Sequence, residues 1–283
     1  MEAIGIVDGN AFSFSACPIG DLRPLIDEYV GQLASPIDSF LEDHILGSAF
    51  YAIRANADAV IGYFAIFNNQ RLTQFYIRDV WRKYAQSLFV RVIDEFAVKF
   101  LFVPTCDESL ISLVIDQDYA IKKQAYFFQD SGLEAAAGGD GDGDGDGGQN
   151  EFRLAEAKDL PVIEQVCVDF VGDYANRIGR GEIFVYYREY ELLGIGVLER
   201  SRLVDGLGSI GMFVNPAFRL QGMGKAIIVA MRGWCKAHGV VPVSGCWYYN
   251  DASKRTLESA GMVTKTRLLH VEVVRGEAAA ERV

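Results

Sequence analysis

The chain has 283 residues, of which 50% are hydrophobic and 23% charged, and its formal net charge is −11 with a pI near 4.8. This acidity argues against a nucleic-acid partner, and the lack of an apolar run of membrane-spanning length argues against a membrane partner. We expect a cytoplasmic protein of two domains, because the chain starts without a basic-then-apolar leader and its five cysteines form no CxxC pair.

The first half of the chain, residues 1–134, is predicted to form one α/β domain. Apolar residues recur at helical spacing from Leu88 to Phe96, directly after the segment Arg82-Lys83-Tyr84-Ala85-Gln86-Ser87. The elements expected after this helix are a strand at 100–103, a helix near 109–115 and a strand near 123–128.

Residues 135–150 are rich in Gly and Asp and are predicted to be a flexible linker. Asp140, Asp142 and Asp144, followed by Glu151, also have the spacing of an EF-hand calcium loop. Such a loop normally has an apolar residue where this chain has Gly147, and the flanking sequence predicts no helices. We therefore expect no metal requirement, with calcium association at this loop left as an alternative.

The second half, residues 151–275, is predicted to form another α/β domain, and residues 276–283 a tail. A strand at 209–214 leads into a turn, and apolar residues then recur at spacings of three and four from Gly222 until Gly239 ends the helix.

This turn has the chemistry of an anion site. The first turn of a helix has four main-chain N–H groups without an intrahelical partner and carries a partial positive charge. Gly222 and Gly224 have no Cβ, so a pyrophosphate could approach the backbone closely, and Arg219 and Lys225 would add charge-assisted contacts. A phosphate group is therefore the ligand that this segment predicts.

The segment Arg219-x-x-Gly222-x-Gly224, preceded by Val214-Asn215-Pro216, resembles the acetyl-CoA pyrophosphate loop of the GNAT superfamily of N-acetyltransferases. The strand at 240–249 and the following Asn250-Asp251-Ala252 … Gly261-Met262 resemble the next motif of that family. The resemblance implies two α/β (α+β) domains, each a central mixed, mostly antiparallel sheet flanked by helices.

The resemblance also implies an activity, namely transfer of an acetyl group from acetyl-CoA to a primary amine of a small molecule or a protein by direct attack. Two neighbouring strands would splay apart and hold the pantetheine arm between them. The residues expected to bind the co-substrate are Met212, Phe213, Val214, Arg219, Leu220, Gln221, Gly222, Met223, Gly224, Lys225, Asn250 and Lys254.

The catalytic groups depart from the family pattern. Many members have a Tyr seven residues beyond the Asn, and here that position is Leu257, so Tyr248 and Tyr249 are the candidate acids. The stretch at 208–211 has no Glu, which leaves Glu199 as the candidate base. Other candidate carboxylates on neighbouring segments are Glu182, Glu189 and Asp205. A non-catalytic acyl-CoA-binding sensor is therefore the alternative, and the acceptor and the oligomeric state are left open.

The two halves resemble each other, which indicates an internal duplication. Gly62 and Gly194 lie within similar apolar strands 132 residues apart, and Arg82 and Arg219 precede the helices at a separation of 137 residues. The first copy has Ala85 and Ser87 in place of Gly222 and Gly224. We therefore predict a tandem GNAT protein whose first copy is degenerate.

Overall fold

The computed structural model describes residues 12–56, 59–133 and 150–274. Most of the predicted linker, with its possible calcium loop, and the predicted tail lie outside these described residues. The described residues fall into two compact units, one of Met1–Ala125 with Thr266–Val283 and the other of Tyr126–Lys265.

The first unit has a mixed sheet in which the strands follow the order β1-β2-β3-β4-β5-β12. All neighbouring pairs are antiparallel except β4 and β5, which are parallel. The bounds are β1 (Phe12–Ala16), β2 (Ala49–Ala55), β3 (Ala59–Phe67), β4 (Arg71–Ile77), β5 (Phe100–Pro104) and β12 (Met262–Glu272), with α1 (Arg23–Gln32), α2 (Ser39–Leu46), α3 (Ala85–Glu95) and α4 (Glu108–Ile115).

The second unit repeats this plan with the order β6-β11-β10-β9-β8-β7. The pair β10 and β11 is parallel, while β7, β8, β9 and β10 pair antiparallel in succession. The bounds are β6 (Ala120–Asp130), β7 (Asn150–Leu154), β8 (Ile183–Arg188), β9 (Glu191–Arg200), β10 (Leu207–Val214) and β11 (Val241–Trp247), with α5 (Leu160–Cys167), α6 (Tyr174–Gly179), α7 (Met223–Ala237) and α8 (Asp251–Ser259). The predicted fold class is confirmed in both units.

Helix α7 shows why the sequence pattern was informative. Ile227, Met231 and Cys235 recur every four residues and are completely buried in the core of the second unit. The helix ends at Ala237, and Gly239 then adopts a left-handed conformation with φ of +67°. A left-handed glycine just past the last turn is a common helix terminator.

Arg232 anchors the buried side of α7. Its guanidinium donates hydrogen bonds to the carbonyl oxygens of Ala260 and Leu133, and it forms an ion pair with Asp130 at the end of β6. Arg232 is only 9% exposed, so this fork connects α7 to the end of α8 and to β6 from a largely buried position.

Two glycines confirm the internal duplication in physical terms. A Cβ added to Gly62 would lie 2.1 Å from the carbonyl oxygen of Tyr76, and one added to Gly194 would lie 2.3 Å from that of Phe213. In the ladders, Gly62 pairs with Ile77 and Gly194 with Val214, the last residues of β4 and β10. Each unit therefore requires a glycine at the same point of the same strand pair.

The units differ from the predicted domain boundaries at two strands. The prediction assigned residues up to 134 to the first domain and residues 151–275 to the second. Tyr126 and Phe128, at the end of β6, instead pack in the core of the second unit, while Val271 in β12 packs in the core of the first. Each strand therefore belongs partly to one unit and partly to the other.

Within the described residues, no helix is both long enough and apolar enough to cross a membrane.

Candidate functional site

Strand β10 has one edge that is only partly paired. It forms a parallel ladder with β11 from Leu207 to Ser209, opposite 241–243, and that ladder then stops although β10 continues to Val214. On the other side, pairing with β9 continues to the end of the strand, where Val214 faces Gly194. The two parallel strands are thus splayed, as the sequence analysis expected for the pantetheine cleft.

The direction of the main-chain groups along β10 follows from its flanking hydrogen bonds. The carbonyl of Leu207 accepts from the N–H of Ser201 on the β9 side, whereas the carbonyl of Gly206 accepts from Val241 at the start of β11. Because the direction alternates along an antiparallel strand, the main-chain groups of Met212 and Val214 face the cleft.

Phe213 differs from the prediction on this point, because its main-chain groups face β9. Its ring packs against Phe170 with centroids 5.2 Å apart, and the guanidinium of Arg219 lies 5.6 Å from the ring centre. Phe213 therefore has a packing role on the face opposite to Met212 and Val214, whose side chains contact the core below α7.

The turn after β10 is held open by Asn215. The side-chain oxygen of Asn215 accepts from the N–H of Ala217 at 3.1 Å, and its amide nitrogen donates to the carbonyl of Leu192 at 2.8 Å. After a short 3₁₀ turn at Pro216–Phe218, both Leu220 and Gly222 have positive φ, of +60° and +81°. The turn therefore projects the fully exposed Leu220 outward and brings the chain into the helix at Gly222.

Gly222 and Gly224 are required for different reasons. A Cβ on Gly222 would meet nothing within 4 Å, so its role is the left-handed conformation and the space above it stays free. A Cβ on Gly224 would lie 3.0 Å from a methyl carbon of Thr256 in α8, so Gly224 permits close helix packing.

The start of α7 offers main-chain donors to that free space. Gly222 caps the helix without a side-chain hydrogen bond, and the N–H of Ala226 is the first to bond within the helix, to the carbonyl of Gly222. The N–H groups of Met223 and Gly224, in the first turn, have no acceptor inside the helix. A helix of 15 residues adds its dipole at this end.

The side chains around the turn are mostly polar and exposed. Arg219 is exposed and donates through Nε to the carbonyl of Val214 at 3.3 Å. Gln221 donates to the carbonyl of Ala217 at 3.4 Å. The turn thus has one anchored cation, Arg219, and the helix-terminal donors of Met223 and Gly224 within a few residues.

The second motif begins with a helix cap. The side-chain oxygen of Asn250 accepts from the N–H of Ser253 at 3.0 Å and starts α8. One turn later, the ammonium group of Lys254 lies 4.9 Å from the ring centre of Tyr126 and 3.9 Å from the carboxylate of Glu258. Asn250 therefore has a clear structural role, and Lys254 is oriented by an aromatic ring.

Tyr248 and Tyr249 have different environments. Tyr248 is half-buried and stacks on Tyr126, with centroids 4.5 Å apart and an interplanar angle of 10°. Tyr249 is 60% exposed and meets the ring of Trp247 edge-on at 5.1 Å. Tyr126 was not predicted at this site, because its place in the sequence assigned it to the other domain.

The candidate bases lie away from the turn. Glu199 pairs with Ser209 in the ladder, five residues before Val214, which places it about 16 Å along the strand. Arg177 holds its carboxylate at 2.8 Å and also contacts Glu182 at 3.3 Å. The structure therefore shows Glu199 and Glu182 in an ion-pair cluster and does not bring them to the turn that follows β10.

The other two carboxylates give no better base. Glu189 lies in a hairpin with φ of +53°, and Asp205 is exposed in the loop before β10. Among the described residues, no group of three or more His, Cys, Asp or Glu side chains is arranged to hold a metal ion.

The corresponding turn of the first unit has another geometry. A 3₁₀ segment at Asp79–Tyr84 continues directly into α3, and none of the residues from Arg78 to Glu95 has positive φ. Ala85 is 8% exposed and packs in the core, whereas Ser87 is exposed. The open left-handed turn of the second unit is therefore not present in the first.

These features define an acetyltransferase-type α/β fold that occurs twice in one chain. Residues 19–131 match the family model described as an acetyltransferase (GNAT) domain. A search of curated proteins finds no sequence that matches this chain. The matched range corresponds to the first half, whereas the open turn lies in the second.

Solved structures share the fold over almost the whole chain. A GNAT-family acetyltransferase from Colwellia psychrerythraea is 18% identical with a TM-score of 0.80, covering 93% of this chain and 100% of that one. A GCN5-related N-acetyltransferase from Sphaerobacter thermophilus is 14% identical with a TM-score of 0.61, covering 94% and 96%. A tandem GNAT protein from the clavulanic acid biosynthesis pathway is 10% identical with a TM-score of 0.60, covering 94% and 99%.

At these identities the solved structures show the fold alone. The chain therefore has a tandem GNAT fold, and its residues 19–131 match the GNAT domain model.

Proposed function

We propose that the protein is an acetyltransferase that binds acetyl-CoA in its second unit and transfers the acetyl group to a primary amine. One observation carries this proposal. The left-handed Gly222 opens free space at the N-terminus of α7, directly after the strand whose edge is left unpaired beside β11.

The turn suits a pyrophosphate. The main-chain N–H groups of Met223 and Gly224 would donate to phosphate oxygens, and the helix dipole favours negative charge there. Arg219 would add a charge-assisted bond without losing its anchor on Val214. The side chain of Lys225 starts in the same first turn of the helix.

The cleft suits an extended amide chain. Main-chain groups of Met212 and Val214 face the side from which β11 has diverged, so a pantetheine arm could pair with them as an added strand would. An N–H in this row would also stabilise the negative oxygen that forms when the amine attacks the thioester, an effect commonly worth about 3 kcal/mol.

The transfer would proceed by direct attack. The neutral amine nitrogen bonds to the thioester carbon and gives up one proton to water, the carbon–sulfur bond breaks, and the departing thiolate takes a proton. Tyr248 and Tyr249 directly follow β11 and precede the Asn250 cap, so they are the proposed sources of that proton. Glu199 is not proposed as the base that contacts the amine, because Arg177 holds it far along the strand.

Isothermal titration with acetyl-CoA tests the assignment of the turn. Gly222→Asp places a carboxylate against the phosphate. Two unit charges about 5 Å apart at an effective dielectric constant of about 20 repel by about 3 kcal/mol. This repulsion corresponds to a loss of roughly 100-fold in affinity for acetyl-CoA. Gly222→Asn is the matched control, because it has nearly the same size and the same backbone strain without the charge.

The control in the first unit is Ser87→Asp, at the exposed position that corresponds to Gly224. It should leave the affinity within about threefold of the natural protein, which would be a difference below 1 kcal/mol. Equal affinities of the Asp and Asn variants at 222 would refute the phosphate assignment, and a large loss in Ser87→Asp would move the co-substrate to the first unit.

Thiol release in the presence of a panel of primary amines tests the reaction. Binding accompanied by amine-dependent thiol release supports the acetyltransferase. Binding without release from any amine would instead support the non-catalytic acyl-CoA sensor.

A further inference from the structure

The first unit contains a cavity of about 480 Å³ that no part of the proposed function uses. It lies where β4 and β5 separate after a ladder of two residue pairs, and α1 and the start of α4 complete its walls. The lining residues are Tyr29, Gln32, Leu33, Phe75, Tyr76, Asp79, Arg82, Asp107, Glu108 and Ser109.

Asp107 is the unusual residue of this wall. One carboxylate oxygen accepts from the N–H of Leu110 at 2.9 Å and caps α4. The residue is only 4% exposed, and its second oxygen, Oδ2, has no hydrogen-bond partner among the described residues. A buried carboxylate oxygen without a hydrogen-bond partner lowers the stability of the folded state, because its lost hydration is not replaced.

Two hydroxyl groups near Asp107 are also unsatisfied. The buried hydroxyls of Tyr29 and Tyr63 have no hydrogen-bond partner within the described ranges. Burial, reinforced by the neighbouring Asp107, raises the pKa of both phenols well above the usual value, so they stay neutral. The Tyr29 hydroxyl lies near enough to Asp107 to lower its pKa, but it makes no well-formed hydrogen bond with Oδ2. Both oxygens can therefore accept from a ligand at the cavity wall.

The charges that line the cavity are predominantly negative. Asp79, Asp107 and Glu108 contribute carboxylates, and Arg82 is the single cation among the lining residues. Arg82 is itself paired with Asp79 at 3.0 Å. Asp107, inside, and Glu108, exposed near the opening, therefore remain as excess negative charge.

The remaining walls are aromatic. Tyr29 and Tyr76 meet edge to face with centroids 6.1 Å apart, whereas the ring of Phe75, next to Tyr76 on β4, packs against Phe89 in the core. The hydroxyl of Tyr76 donates to Glu28 at 3.1 Å, which leaves the ring itself as the lining surface. Aromatic faces attract organic cations as well as apolar chains.

We propose that this cavity binds a small organic molecule with a primary ammonium group, which donates hydrogen bonds to Asp107 Oδ2 and to the Tyr29 hydroxyl. An ammonium group has three donors and no acceptor, so it matches an unpaired carboxylate oxygen and a neutral hydroxyl. The aromatic walls would cover the carbon chain, and a second ammonium group would reach Glu108. An anionic ligand is disfavoured by the same carboxylates.

This site is independent of the proposed acetyl-CoA turn, which lies in the other unit. Burial raises the pKa of Asp107 to about 6, so the carboxyl is largely ionised at pH 7.5 and a bound cation would relieve an unfavourable charge. The ligand would therefore stabilise the first unit as well as occupy it.

Titration calorimetry of the full chain with putrescine at pH 7.5, with 1,4-butanediol as the neutral counterpart of equal length, tests the proposal. We expect binding of putrescine alone, and at least a tenfold loss of affinity in Asp107→Asn. Asp94→Asn, an exposed change on α3 in the same unit, should leave the affinity unchanged.

Three results would overturn the proposal. The first is the absence of putrescine binding, and the second is equal binding of the diol. The third is binding that survives Asp107→Asn but is lost in Gly222→Asp, which would place the amine in the second unit. Failure of acetyl-CoA binding would leave the putrescine result unaffected, so the two proposals fail separately.

Discussion

Replacing Asp107 by Asn should stabilise the first unit, and the gain should increase with pH. The Asn side chain can keep the hydrogen bond from the Leu110 N–H, because Asn and Asp are about equally good helix caps. What the variant removes is a negative charge at a position that is 4% exposed. The second copy already has this arrangement, since Asn250 caps α8 at the corresponding point.

The magnitude follows from the pKa. Burial raises the pKa of Asp107 from 3.8 to about 6, partly offset by the hydrogen bond from Leu110. Below 3.8 both the folded and the unfolded chain are protonated, so the charge costs nothing. Between 3.8 and about 6 the unfolded chain ionises first and the free energy of unfolding falls, and above about 6 the full penalty of about 3 kcal/mol applies.

The assay is urea unfolding of the full chain at pH 7.5 and pH 4.2. Trp81 is the single tryptophan of the first unit, so a background with Trp234→Phe and Trp247→Phe makes its fluorescence report on that unit. The expected gain is about 2 to 3 kcal/mol at pH 7.5 and below about 1 kcal/mol at pH 4.2. A gain that is equal at both pH values, or a loss at pH 7.5, would refute the reasoning, and Asp94→Asn controls for charge removal at the surface.

Two further predictions concern the second unit. Arg232→Met leaves Asp130 and the carbonyl of Ala260 without their buried partner, so we expect the free energy of unfolding to fall by about 3 to 5 kcal/mol and the melting temperature to fall by about 10 °C. The control is Arg255→Met, at an exposed position. Equal melting temperatures of the two variants would contradict the structural role of Arg232. Glu199→Gln should lower kcat/KM in the thiol-release assay by less than about threefold, because Arg177 holds the Glu199 carboxylate away from the turn. A fall of about 100-fold or more would instead show that Glu199 acts as the general base.

The parts of the site that the sequence predicted are those set by local chemistry. Gly222 and Gly239 mark the two ends of α7, because one permits a left-handed entry and the other a left-handed exit. The recurrence of apolar residues between them identified the buried face correctly. The duplication was also visible, since Gly62 and Gly194 are each required by a neighbouring carbonyl oxygen.

The parts that the sequence did not predict depend on contacts between distant segments. Nothing local distinguishes Tyr126 from a residue of the first domain, and its stacking on Tyr248 exists only because β6 ends in the second unit. Likewise, the isolation of Glu199 depends on Arg177, which reaches it from a separate helix. The side to which the main-chain groups of Phe213 point follows from its pairing register with β9. Apolar periodicity alone does not give that register.

Strand β12 contributes residues to both units, because the boundary between them falls between Lys265 and Thr266. The second half of β12 pairs with β5 and contributes Val271 to the core of the first unit. Yet β12 is the last strand of the described residues and follows the second repeat in the sequence. Cleavage at the Gly/Asp segment followed by separation would leave β5 with an unpaired edge, a common site of aggregation. Each unit therefore contains a strand segment from beyond the linker that separates the two repeats in the sequence, so a cut in that linker would divide both units.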